Sequence, residues 1–118
     1  FVKTFSLFNG KVDLTFTTIT DAKRMKGYEL IRDNIEQQKD GLSKALIDAY
    51  NLKVNIGLQI LRIKIDGHTT NLAEGSLEER VTYLSEMPEE MLRLLSKYLM
   101  IFANITNMAF NREETLKN

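Results

Sequence analysis

The apolar positions of this chain change their period from one end to the other. Between residues 3 and 16 they alternate about Asn9-Gly10. That pair tolerates positive φ at both centres of a type I′ turn, so the segment predicts a β-hairpin with a two-residue loop. The loop sets Leu7 opposite Val12, Phe5 opposite Leu14 and Lys3 opposite Phe16. Those residues share one face, while Ser6/Asp13 and Thr4/Thr15 share the other. One face is therefore expected to be buried and the other wet or partnered. A lone hairpin is marginal in water, so it is expected to dock on helices or on another sheet. Its outer edges then stay open to pairing with another chain.

From Thr20-Asp21 onward the period lengthens. Ala22, Met25, Tyr28, Ile31 and Ile35 form a narrow stripe, predicting a helix to about Gln38. Lys23, Arg24 and Lys26 oppose its dipole, Gly27 weakens it, and Asp40-Gly41 breaks the chain. Residues 43–66 carry two patterns at once. Leu46, Ala49, Tyr50, Lys53, Val54, Gly57, Leu58, Leu61 and Ile65 fit a helix face, whereas Leu52, Val54, Ile56, Leu58 and Ile60 alternate like a strand. Length favours a helix over 43–61, with Ile63–Ile65 as a short strand ending at Asp66-Gly67. A polar loop is expected from His68 to Gly75. Ser76 with Glu79 has the spacing of a capping box and starts a short helix to Leu84.

Pro88 then suits the first position of a last helix, with Glu89 and Glu90 favouring its dipole. Met91, Leu95, Tyr98, Phe102, Ile105 and Ala109 would fill one side of it. Leu92, Leu94, Leu99, Ile101 and Met108 widen the stripe, with Leu92, Leu99 and Met108 well round from the first side. Soluble monomers avoid large open apolar patches, so this helix is expected to serve an interface as well as the core. The alternative is that the 43–66 and 76–84 helices flank it and bury everything internally. The candidate interface is therefore Leu92, Leu99 and Met108, with Thr4, Ser6 and Thr15 on the second hairpin face.

These elements describe an α+β fold: an N-terminal β-hairpin packed on about four mostly antiparallel helices. The 118 residues divide as hairpin 1–19, helical part 20–110 and polar, fraying tail 111–118 within a single domain. The apolar share of 43% suffices for a core without disulfides or metal. The chain opens on Phe1 without a methionine, which fits a processed chain or a piece of a longer one. Zero cysteines exclude a disulfide scaffold, a thiolate metal site and a cysteine nucleophile, and fit a reducing compartment. No apolar run reaches the roughly 18 residues of a membrane span, so no membrane partner is expected.

Net charge is zero, from 16 basic and 16 acidic residues. Residues 1–64 hold 11 basic and 7 acidic side chains (+4), and residues 65–118 hold 5 and 9 (−4). The polarity either lets one end meet the opposite end of a neighbouring copy or is scatter over a solvated surface. Nucleic-acid binding usually needs a strongly basic domain. Lys23-Arg24-Lys26 and Arg62/Lys64, with Tyr28 and Tyr50, are the groups such a reading would use, and neutrality makes it the secondary one.

Equipment for catalysis is missing from the pattern. His68 is the sole histidine, in a predicted loop, and reads as a surface residue. Glu78-Glu79, Glu89-Glu90 and Glu113-Glu114 are adjacent pairs, and adjacent helical residues point about 100° apart, so no pair converges on a substrate. The glycines form no phosphate-binding loop. No catalytic residue, metal site or cofactor is expected.

The layout resembles small proteins of tailed bacteriophages, namely tail-assembly chaperones and baseplate-hub assembly proteins. The resemblance runs through Phe5…Gly10-Lys11…Leu14-Thr15-Phe16, a threonine-led helix from Thr20, Asp48-Ala49-Tyr50-Asn51-Leu52, and the Ile65-Asp66-Gly67 turn. It ends with Glu78-Glu79-Arg80 and the Leu84 to Pro88 start of the last helix. It implies a non-enzymatic assembly protein that binds other phage structural proteins or copies of itself. It places the protein in the virion or in the host cytoplasm during assembly.

Overall fold

The computed structural model describes residues 1–38, 41 and 43–117. Two antiparallel strands, β1 (Val2–Leu7) and β2 (Val12–Thr17), open the chain. Their register pairs Leu7 with Val12, Phe5 with Leu14 and Lys3 with Phe16, as the alternation requires. The loop itself is longer than expected. Gly10 N–H donates to the Leu7 carbonyl and Lys11 N–H to the Phe8 carbonyl, and positive φ begins at Phe8 and runs through Asn9 to Gly10. A four-residue loop, Phe8 to Lys11, has the same centre as a two-residue one, so the strand register is unchanged.

Helix α1 (Asp21–Gln37) starts where Thr20 accepts from the Lys23 N–H. The Asp40-Gly41 break cannot be placed in full, because Asp40 lies outside the described residues. Helix α2 (Lys44–Gln59), capped by Ser43, passes directly into β3 (Ile60–Ile65). The strand thus begins earlier than expected, because Ile60 seats opposite Phe16 in the sheet. Leu61 is the extra residue of a bulge at Thr15/Phe16.

Residues His68–Asn71 are not a loop but strand β4, paired with β3 across the two-residue turn Asp66-Gly67. Both turn residues have positive φ, the type I′ requirement. The strand escapes notice in the sequence because His68-Thr69-Thr70-Asn71 has no apolar alternation. The result is a four-stranded antiparallel sheet ordered β1-β2-β3-β4, with α1 and α2 inserted between its second and third strands.

A short 3-10 turn (Leu72–Glu74) leads to α3 (Leu77–Ser85). Ser76 accepts from the Glu79 N–H, but Glu79 reaches the Ser76 hydroxyl rather than its N–H, so only half of a capping box forms. Helix α4 (Glu89–Lys117) begins one residue after Pro88, whose carbonyl accepts from the Leu92 N–H. The helix continues through the segment expected to be a fraying tail.

Helices α2, α3 and α4 supply Ile56, Leu84, Leu95 and Phe102 to the apolar face of the sheet, against Leu14, Phe16, Ile60 and Ile63, with Leu72 of the 3-10 turn in the same cluster. A second cluster, Val54, Leu58 and Val81, joins α1 to α2 and α3. There α1 approaches α2 closely at Gly27: a Cβ at that position would lie 2.8 Å from Leu58 Cδ1.

Candidate functional site

Strand β1 forms one edge of the sheet. Thr18 N–H donates to the Phe1 carbonyl, which fixes the phase of the β1–β2 ladder. Antiparallel residues alternate between turning both main-chain groups toward a neighbour and turning both away. Phe1, Lys3, Phe5 and Leu7 therefore face β2, and Val2, Thr4 and Ser6 present N–H and C=O groups at the free edge. The edge carries no proline and no bulge. The opposite edge strand, β4, is shorter and is followed by the 3-10 turn.

Beside this edge runs a flank of α4. Tyr98 packs on Phe5 of β1, with ring centroids 5.1 Å apart, and Phe102 stacks on Phe16 of β2 at 5.9 Å. The side chains of α4 therefore reach both strands of the hairpin. On the outer side, Leu94, Tyr98, Ile101, Ile105 and Met108 follow one another at spacings of 4, 3, 4 and 3 residues. That spacing keeps them on one stripe of the helix. Leu94, Tyr98 and Ile101 are half-buried, Leu94 and Tyr98 against the core, whereas Ile105 is 38% and Met108 68% exposed, so the open part of the stripe is its C-terminal half.

The structure divides the residues singled out from the sequence. Leu92 and Leu99 pack against the core, so of the three α4 candidates Met108 alone stays open. Ile105, expected on the core side, instead joins it. The reason is rotational: the buried line is Leu95–Phe102–Thr106, with Leu92 and Leu99 on its inner flank.

Thr4, Ser6 and Thr15 share the sheet face turned away from the helices. Thr4 and Thr15 hydroxyls are 2.8 Å apart. Thr15 is only 2% exposed, so it supports that face from beneath and cannot itself meet a partner. Arg62 and Lys64 occupy the same face, in register with Thr15 and Asp13, and Asp13 Oδ1 is shielded from water without a hydrogen-bond partner. The helical period set Leu94, Ile101 and Met108 on the widened apolar surface but Tyr98 and Ile105 on the core side, so the 4-3-4-3 line was not evident as one stripe. The phase of the β1 edge needed the β1–β2 hydrogen bonds.

The other candidate chemistry is dispersed. His68 is exposed on β4. Glu78 and Glu79 are exposed at the start of α3, and Glu89 pairs with Arg93 at 2.9 Å. The side chains of Glu113 and Glu114 lie outside the described residues. Lys23, Arg24 and Lys26 are on α1 and Arg62 and Lys64 on β3, while Tyr28 and Tyr50 are on α1 and α2. Arg80, read only as part of a charged segment, is structural. Its guanidinium donates to the carbonyls of Gly57, Gly75 and Ala73, tying the 3-10 turn to the end of α2. Burial, followed by the charges of Glu78 and Asp33, raises the Tyr50 phenol above its ordinary value.

Among the described residues no group of three or more histidine and acidic side chains is placed to hold a metal ion, and no helix is long and apolar enough to cross a membrane. No protein-family model, curated protein or solved structure matches the chain.

Proposed function

We propose that this protein is a non-enzymatic interaction protein that assembles with other proteins through the β1 edge and the neighbouring stripe of α4. The observation that carries this reading is their adjacency. An open strand edge offers a row of main-chain donors and acceptors, and an apolar stripe beside it offers area. Strand addition uses both: main-chain bonds hold the incoming segment and the apolar contacts fix its side. Natural proteins commonly blunt such edges with proline, bulges or inward charges. Only Lys3 plays that part here, and its ammonium lies over the Phe5 ring at 5.3 Å.

The resemblance of the sequence to phage tail-assembly chaperones and baseplate-hub proteins supports a more specific role. In it the protein serves as a tail or baseplate assembly component, acting in the host cytoplasm or within the particle. Its partners are other phage structural proteins or copies of itself. No catalytic group, cofactor, membrane or nucleic acid enters this reading.

The test is co-expression with the products of the neighbouring genes, followed by co-purification. Wild type should retain at least one of them, and Met108→Glu combined with Ser6→Pro should release it. Retention by the double variant would overturn the proposed surface. Neighbouring genes unrelated to tails would overturn the phage role. Firm retention on heparin at low salt would favour the nucleic-acid reading instead.

A further inference from the structure

The geometry points to a second copy of this chain as the occupant of the β1 edge. The inference rests on the reading of that edge as an interface and names its partner. We propose a two-fold dimer in which β1 pairs antiparallel with β1 of the other copy, centred on Thr4, joining two four-stranded sheets into one.

The strand restricts its own register. Only Val2, Thr4 and Ser6 turn main-chain groups outward, so these must oppose one another across the axis. Centring on Thr4 pairs Val2 with Ser6 of the second copy, Thr4 with Thr4, and Ser6 with Val2. All three outward residues then exchange both main-chain bonds. On the helix-facing side the same register sets Lys3 against Phe5 of the second copy. Centring one residue earlier would instead set Lys3 against Lys3, an uncompensated like-charge pair. Centring one residue later leaves Val2 opposite Phe8, which belongs to the loop. The Thr4–Thr15 hydroxyl contact is continued across the axis by the facing Thr4.

Helix α4 satisfies the same symmetry. Phe1 meets Phe110 at 5.7 Å and Phe5 meets Tyr98 at 5.1 Å, so α4 runs antiparallel to β1 and its Ile101 region lies near Thr4. Under a two-fold axis at that residue, Ile101 meets Ile101 and Leu94 meets Met108, while Tyr98 and Ile105 are offset by one residue. Zero net charge removes long-range repulsion between copies.

The full chain in sedimentation equilibrium should be dimeric, with monomer appearing on dilution. Ser6→Pro removes an outward N–H that serves no bond within the protomer. It should leave the far-UV circular dichroism unchanged and weaken the dimer about 30-fold, from two main-chain bonds lost per dimer. Because the chain lacks cysteine, Thr4→Cys should give a disulfide-linked dimer on mild oxidation, whereas Lys11→Cys should not. A wild-type monomer at all accessible concentrations overturns the inference. So does a dimer that is indifferent to Ser6→Pro and is not trapped by Thr4→Cys. If such a monomer still binds neighbouring-gene products in a manner lost with Ser6→Pro, self-pairing fails while the edge stands as an interface. If neither binding nor dimer depends on the edge, both readings fall.

Discussion

Replacing Phe102 by alanine tests which way α4 faces. Phe102 is 1% exposed and stacks on Phe16, which in turn meets Phe5 edge-on at 6.1 Å. Truncating a buried phenylalanine costs about 3–5 kcal/mol, the transfer loss and the residual cavity together. The site lies between a helix and a sheet and cannot easily collapse, so a loss of about 4 kcal/mol is expected. Domains of this size have about 5–15 kcal/mol in all, so the variant should fold but only weakly. Urea unfolding followed by circular dichroism gives the measurement. With a slope of about 1.5 kcal/mol/M, the midpoint should fall by roughly 2.5 M. Met108→Ala, on a side chain that is 68% exposed, should change stability by less than about 0.5 kcal/mol. Both should be made in the Ser6→Pro background, since association would make the midpoint depend on protein concentration. A loss below about 1.5 kcal/mol for Phe102→Ala, or equal losses for the two variants, would refute the assignment of the inner line of α4.

Three further outcomes follow from single contacts. Arg80→Met should destabilise by about 2 kcal/mol in chemical denaturation, since three carbonyls lose a charged donor, and Arg80→Lys should recover less than half because an ammonium cannot fork. Gly27→Ala should be nearly neutral, a helix-propensity gain of about 1 kcal/mol being offset by displacement of Leu58, whereas Gly27→Leu should lose about 1–3 kcal/mol; unchanged stability in the leucine variant would remove the close α1–α2 approach. Tyr50 binds its proton more tightly folded than unfolded, so its contribution is complete below the ordinary tyrosine pKa of 10.0 and is lost as pH rises past its own raised value; Tyr50→Phe should show a shallower alkaline fall in stability than wild type, and parallel curves would contradict the burial of the phenol.

Local chemistry made much of this fold readable. Asn9-Gly10 and a strict alternation fix a hairpin register by themselves, because a one-residue slip would turn every apolar side chain outward. Thr20, Ser43 and Ser76 mark helix starts because a side-chain oxygen there satisfies a free N–H within four residues. The helical period of α4 likewise announces a broad apolar surface. Other features depend on partners distant in sequence. His68–Asn71 has no strand pattern and becomes one only because β3 offers it a ladder across Asp66-Gly67. Residues 52–60 fit both periods, and the switch at Ile60 is decided by its place opposite Phe16. The rotation of α4 is set by the rings of Phe5 and Phe16, which no spacing within the helix can specify. For the candidate surface, Thr4, Ser6 and Met108 were legible as open positions, while Leu92 and Leu99 were not distinguishable from them until packing on the core turned them inward. Periodicity determines which residues share a face; only the tertiary contacts decide what that face meets.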